Sequence, residues 1–331
     1  MSSILTIDTG LSNIVKIAIV DSSYQLQDTH LEPVAPENLQ EKMIQEVQHS
    51  QLEKLAISST WFVSEDGSQG FIEKDGRKVV YIDLPEIQKR TGLVESAIAI
   101  YNDAEATALA LNVPHNKRII QEGDVDLHDA EIKTLLYLGT GFQMERCFYH
   151  YDVKRYLPNH GGGLMASIPI NLLEIVNSDF LKKIADISEI GGIAKLRHTH
   201  LLSARGLGHI HTALTEEKKD AKTIIDEKDQ HQQTFMTYSK ILGRCLQNFA
   251  STVGFDQALY IGGTFATAIA PHLDQQALQE AFAVPQHLTR KMYEQIPILV
   301  LDEPFAGNLG AAYGLREGIE TTAQTTYSEL A

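Results

Sequence analysis

Cysteine is nearly missing from this 331-residue chain: there are two, Cys147 and Cys245, far apart. They build neither a disulfide framework nor a zinc site. Basic residues are scarce as well, 28 against 43 acidic ones, for a net charge of −15. That balance argues against docking on a nucleic-acid backbone or on an anionic membrane surface, so neither is expected as a partner. A nucleotide stays open, because it needs only local donors. No apolar run is long enough to span a bilayer. The opening "MSSILTIDTG" lacks the charged and apolar regions of a signal peptide, and a cytoplasmic protein is expected. What is present is an ordinary apolar fraction of 43%. The length suffices for two domains with cores of their own.

Patterning predicts strands alternating with helices, an α/β class. Residues 4–8 and 14–20 read as a β-hairpin, 36–49 as a polar helix and 54–60 as a buried strand. Residues 61–81 read as loops with short strands, and 84–91 as a helix ending near Gly92. "AIAIYND" (97–103) is an apolar strand running into the helical "AEATALAL". "IKTLLYLGTG" (132–141) is a strand ending in a glycine turn, with "FYHYDV" (148–153) as its partner. Helices are expected over 171–186, 206–228 and 232–254. "ALYIGGT" (258–264) and "ILVLDEPF" (298–305) are strands, and "GNLGAAYGLREGIE" is a terminal helix of small residues. "LTIDTGLS" and "LLYLGTGF" echo one another half a chain apart, which suggests a duplicated α/β unit.

Three glycine turns end apolar strands: Thr9-Gly10, Gly139-Thr140-Gly141 and Gly262-Gly263-Thr264. Such turns let backbone amides point one way around a phosphate. Each alone is simply a turn; the set at strand carboxyl ends favours a ligand. Asp103 ends a strand at the mouth of a helix. It reads either as part of an N-terminal cap, with Asn102 and Glu105 as a capping box, or as a general base that takes a hydroxyl proton. Asp8 reads as a strand end or as a contact to Mg²⁺ through water. The pairs His198/His200 and His209/His211 have no third ligand at a convincing spacing, so core or surface histidines are expected.

In order along nearly the whole chain, these segments resemble the bacterial glucokinase family. "TIDTGLSN" is similar to its D-x-G-G-T-N hairpin and "YNDAEATALAL" to its I-N-D-F-x-A segment. "LYLGTGFQ" is similar to its G-x-G-T-G-L-G turn, and "YLPNHGGG" lies where the family has L-P-G-E-G-G-H. "LLSARGLGHIHTAL", "ALYIGGTFATAIAPHL" and "EPFAGNLGAAYGLR" resemble the remaining motifs in sequence. The cysteine-rich zinc motif of the related repressor-and-kinase family is absent. The resemblance implies duplicated actin-like ATPase (ribonuclease H-like) domains facing a cleft. Their implied bounds are 1–110 plus 303–331 for the small domain and 111–302 for the large one. It implies ATP and Mg²⁺ as cofactors, a small-molecule sugar as substrate, and a homodimer. Asp103 would be the catalytic base and Asn102 a sugar ligand. Asp8, Gly10, Ser12 and Asn13, with Gly139, Thr140 and Gly141, would hold the phosphates, with Mg²⁺ at Asp8. Gly262 and Gly263 would flank the adenosine.

The chain also departs from that pattern. Leu11 and Ser12 replace a family Gly and Thr. His160 and Gly163 stand where the family has a Glu and a His, and Thr199 where it has a second Glu. The family's T-N-H-x-W stretch falls near Arg77 to Val80, without its Asn or Trp. Lost carboxylates weaken glucose binding, since they accept the strongest hydrogen bonds from sugar hydroxyls. The reading is an ATP-dependent kinase acting on a hexose or related sugar, on the C6 hydroxyl, with His160 and Thr199 shaping its sugar site. The alternatives are a weakened or inactive homologue that senses sugar or nucleotide or binds a partner, and an ATPase or phosphatase of the same fold.

Overall fold

The computed structural model describes residues 3–10, 13–60, 62–64, 66–74, 77–125, 127, 130–139, 141–160, 170–253, 257–283 and 290–319. It contains two compact units: Met1–His115 with Arg155–His160 and Phe305–Ala331, and Asn116–Lys154 with Gly161–Pro304.

Strands β1 (Ile4–Thr9) and β2 (Ile14–Val20) form the expected antiparallel hairpin. β3 (Leu26–Pro33) extends it at the edge. Its polar sequence LQDTHLEP shows no apolar alternation, so sequence patterning passes it over. Helix α1 (Leu39–Ser50) turns Leu39, Met43, Ile44 and Val47 to one buried face. β4 (Leu55–Ser59) is buried throughout and runs parallel to β1. β5 (Phe62–Val63), β6 (Gln69–Lys74) and β7 (Arg77–Asp83) make a small antiparallel sheet. Helix α2 (Leu84–Thr91) starts on an Asp83 cap and ends at Gly92, whose φ of 78° closes it. β8 (Ile98–Asn102) then pairs parallel with β4 and runs straight into α3 (Asp103–Leu109). The sheet order is β3-β2-β1-β4-β8.

The second unit adds β9 (Lys117–Gln121), β10 (Ile132–Leu138) and β11 (Phe142–His150). β12 (Arg155–His160) returns to the first unit, where Asn112 clamps Tyr156 through both backbone groups. β11 begins at once after the glycine turn rather than near 148 as expected, and pairs Ile132 with Phe148. Helices α4 (Ser178–Ile187), α5 (Thr199–Leu202), α6 (Ala204–Thr215) and α7 (Ala221–Asp226) lead to the long α8 (Gln232–Val253). Then follow β13 (Gln257–Gly262), α9 (Thr264–Ile269), α10 (Gln275–Ala283), α11 (Arg290–Glu294) and β14 (Ile298–Leu301). β11-β10-β13-β14 repeats the order and directions of β2-β1-β4-β8. The sequence echo is therefore a real duplication of topology.

Each unit has its own core. In the first, Leu5, Ile7, Leu55 and Ile57 pack with Met43 and Ile44 of α1. In the second, Tyr238, Leu242, Leu246 and Phe249 of α8 pack with Leu136, Leu259 and Ile261. Each such side chain contributes about 1.5–3 kcal/mol by leaving water. The last helix, α12 (Ala306–Glu317), covers the other face of the first unit's sheet. Its small residues allow close approach to α3: a Cβ on Gly310 would collide with the Ala106 carbonyl oxygen. Among the described residues no helix is long and apolar enough to cross a membrane.

Candidate active site

The carboxyl ends of β1, β4 and β8 bring the first unit's candidates together. Strand register sets Lys16, Asp8, Ser58 and Tyr101 abreast on four neighbouring strands. Alternation turns this row toward α12 and away from Leu5 and Ile7. Ser58 donates to Asp8 Oδ1 at 2.6 Å, and Lys16 Nζ lies 3.3 Å from Oδ2. Gly307, in the first turn of α12, approaches so closely that a Cβ there would sit 3.0 Å from the Asp8 carboxyl carbon. The positive end of that helix adds to the charge of the lysine. Burial, and next the charge of Glu105, push the Tyr101 phenol far above its ordinary pKa; its hydroxyl donates to the Ile319 carbonyl at 2.8 Å.

Asn102 ends β8 and Asp103 opens α3, and both are buried. The Asn102 side chain accepts the Ala104 amide at 3.1 Å, the cap expected of it, and Asp103 Oδ1 takes the same amide at 2.8 Å. Asp103 Oδ2 turns instead to the Thr60 hydroxyl at 3.1 Å. One carboxylate thus takes part in the cap and turns its second oxygen to a hydroxyl. At the hairpin turn after Gly10, Asn13 has φ 56° and its carbonyl accepts the Val34 amide at 2.8 Å. Asparagine adopts this left-handed conformation more readily than most residues, so Asn13 has a conformational reason for its place. Leu11 and Ser12 lie outside the described residues.

In the second unit the turns after β10 and β13 lie side by side, because Tyr137 and Gly262 are register partners. Gly263 has φ 102°, and a Cβ there would stand 2.5 Å from the Leu138 carbonyl oxygen, so only glycine fits. The Gly139 amide donates to the Gly141 carbonyl at 3.0 Å, and the Gly139 carbonyl accepts from Ala204 at 3.0 Å. That amide is committed within the turn and does not point outward to a phosphate. Space is open above Gly141, where the nearest atom to an added Cβ is Thr199 Oγ1 at 4.0 Å. Thr199 therefore stands beside this turn. Thr140 and Gly163, and the side chain of His160, lie outside the described residues.

Four residues of these clusters escaped the sequence reading. Lys16 interrupts the apolar "IVKIAIV", and Ser58 and Thr60 end the buried "AISST"; their polarity was the available signal. Tyr137 stands where the resembled turn has its first glycine. Its ring comes 3.2 Å from a Cβ built on Gly139 and 3.1 Å from one on Gly263. The paired histidines make contacts within the fold. His198 packs between Phe142 and Phe249, with ring centroids 5.4 and 5.2 Å away. His200 accepts the Arg197 amide at 2.8 Å. Burial lowers the pKa of His200, His209 and His211. Among the described residues, His30, Glu32 and Glu46 have metal-like spacing, but the Lys42 ammonium already bridges both glutamates at 2.5 and 2.7 Å.

A family model described as glucokinase matches residues 80–318. No curated protein matches the chain. A solved glucokinase from an Antarctic psychrotroph aligns with a TM-score of 0.71 at 16% identity, over 96% of this chain and 99% of that one. The Balamuthia mandrillaris glucokinase, in complex with glucose, aligns with a TM-score of 0.71 at 15% identity, over 96% and 94%. A ROK family glucokinase from Streptomyces griseus, in complex with glucose and AMPPNP, aligns at 0.56 and 15% identity, over 96% and 100%. These likenesses establish the duplicated actin-like ATPase fold.

Proposed function

The chain belongs to the glucokinase family, and on that premise we propose that it is an ATP-dependent kinase of a hexose or related sugar. Membership supports sugar kinase activity in general. The finer reading is transfer to the C6 hydroxyl with Asp103 as general base. The observation that carries it is the buried Asp103, anchored through Oδ1 at the start of α3 with Oδ2 turned to Thr60.

In this reading the sugar hydroxyl oxygen attacks the γ-phosphorus. The new O–P bond forms as the bond to the β-phosphate oxygen breaks, and ADP leaves. The hydroxyl proton passes to Asp103 Oδ2. Asn102 orients the sugar from its cap position, with His160 and Thr199 shaping specificity. The turn at Gly10, Ser12 and Asn13 and the open space over Gly141 receive the phosphates, with Thr140 and the structural Gly139 in the same turn. Gly262 and Gly263 flank the adenosine. Magnesium, when bound with the nucleotide, would neutralise phosphate charge. Asp8, expected to reach it through water, has its carboxylate oxygens already facing Ser58 and the Lys16 ammonium, which leaves no room for direct ligation. No step is routed through a metal there.

The test is ADP release with ATP and a panel of hexoses. Turnover with one sugar is expected, and Asp103→Asn should lower it by about 10²–10⁴-fold. Unchanged turnover in that variant removes Asp103 from the role. The Tyr137 ring over both glycine turns favours a second reading, a homologue with weakened nucleotide binding that acts as a sensor; turnover of any common hexose at about 1–10³ s⁻¹ would exclude it.

A further inference from the structure

Asp8 is compensated before any ligand arrives. Ser58 donates to one oxygen at 2.6 Å, the Lys16 ammonium lies 3.3 Å from the other, and the first turn of α12 abuts the carboxyl at Gly307. The ion pair is built into the hairpin. Asp8 and Lys16 are cross-strand register partners, and their side chains are 13% and 15% exposed. Side chains set directly opposite each other on one face of an antiparallel pair interact closely. A divalent ion bonded to Oδ2 at about 2.1 Å would crowd the ammonium, and like charges in a partly buried site repel strongly.

We propose that Lys16 is the resident counter-cation of Asp8, in the place of a divalent metal, and that its ammonium is the positive charge this hairpin offers to the terminal phosphate of a nucleotide. The inference rests on the nucleotide reading above. A lysine ammonium is a compact point charge suited to phosphate oxygens. Asp8 is then a positioning residue: as the cross-strand partner of Lys16 it holds the ammonium 3.3 Å from Oδ2.

The test is calorimetric titration of the protein with ATP, with and without EDTA, and separately with MnCl₂. Wild type is expected to bind ATP in EDTA and to take up no Mn²⁺ in the absence of nucleotide. Lys16→Met should lose ATP affinity in EDTA by about tenfold. It should also gain Mn²⁺ binding, which adding Asp8→Asn removes. Lys16→Arg keeps the charge; it should retain ATP binding and refuse Mn²⁺, which separates the charge from any general disturbance of the hairpin. Equal ATP affinity in wild type and Lys16→Met overturns the proposal and leaves the nucleotide reading standing. So does Mn²⁺ uptake by wild type that Asp8→Asn abolishes. Wild type that binds no ATP under either condition overturns both.

Discussion

Asp103 Oδ2 lies 3.1 Å from Thr60 Oγ1, and that same hydroxyl is 2.7 Å from the Thr9 carbonyl. A hydroxyl has one proton to give. With Asp103 ionised, the carbonyl and the carboxylate compete for it. With Asp103 protonated, the carboxyl donates to Thr60 and Thr60 donates to Thr9, and both contacts are made. In the base role proposed above, Asp103 ends its step holding a proton, and the arrangement suits that form. Thr60→Val should therefore lower kcat about tenfold with little change in KM for the sugar, while Thr60→Ser should retain most activity. Steady-state kinetics of the two variants decide it; equal loss in both would mean that Thr60 acts through packing alone.

Gly310 is the tightest point between α12 and α3. An added Cβ would collide with the Ala106 carbonyl oxygen, which is backbone and cannot rotate aside. Gly310→Ala should destabilise the protein by roughly 3 kcal/mol or more, at the upper end of overpacking costs. Gly318→Ala is a milder change, since nothing lies within 4 Å of its Cβ position and the cost is its φ of 63°. Urea denaturation of the two variants side by side would show the difference, and equal midpoints would contradict the packing argument.

Tyr137→Ala removes a ring that packs over Gly139 and Gly263. If the ring obstructs the nucleotide, ATP affinity should rise severalfold in a fluorescence titration. A fall in affinity would instead make Tyr137 a nucleotide contact.

Burial lowers the pKa of His200, His209 and His211 from the ordinary value near 6.5. Between their native values and about 6.5 the unfolded chain binds more protons than the native one. Their contribution to stability is therefore complete above about 6.5 and is lost as pH falls through the lowered native values. His211 is almost fully buried, between Thr234 and Thr215 at 3.1 and 3.3 Å and edge-on to His231. His211→Gln should flatten the acid side of a denaturation midpoint plotted against pH. A slope identical to wild type would assign the acid sensitivity to other groups.

Local chemistry made much of the fold legible in the sequence. Helix α2 carries its own start and stop in Asp83 and Gly92, and α8 keeps its apolar face over six turns. The strands that sequence patterning missed, β3, β9 and β12, have polar or mixed sequences without clear apolar alternation. β3 and β9, LQDTHLEP and KRIIQ, exist because neighbouring strands supply their hydrogen-bond partners. Asn102 and Asp103 were legible because their cap is local. Lys16, Ser58 and Thr60 were not, because they meet only through the register of β2, β1 and β4.

Composition, turn residues and apolar periodicity by themselves determine that this is an α/β chain with a duplicated strand pattern and a carboxylate at a strand-to-helix junction. Those properties depend on neighbours a few residues apart, which any sequence displays. Only the tertiary structure decided that Lys16 pairs with Asp8, that the Gly139 amide turns inward, and that Tyr137 covers two glycine turns. Each of these depends on which strand lies beside which and in what register, and register is a property of the assembled sheet rather than of any one segment.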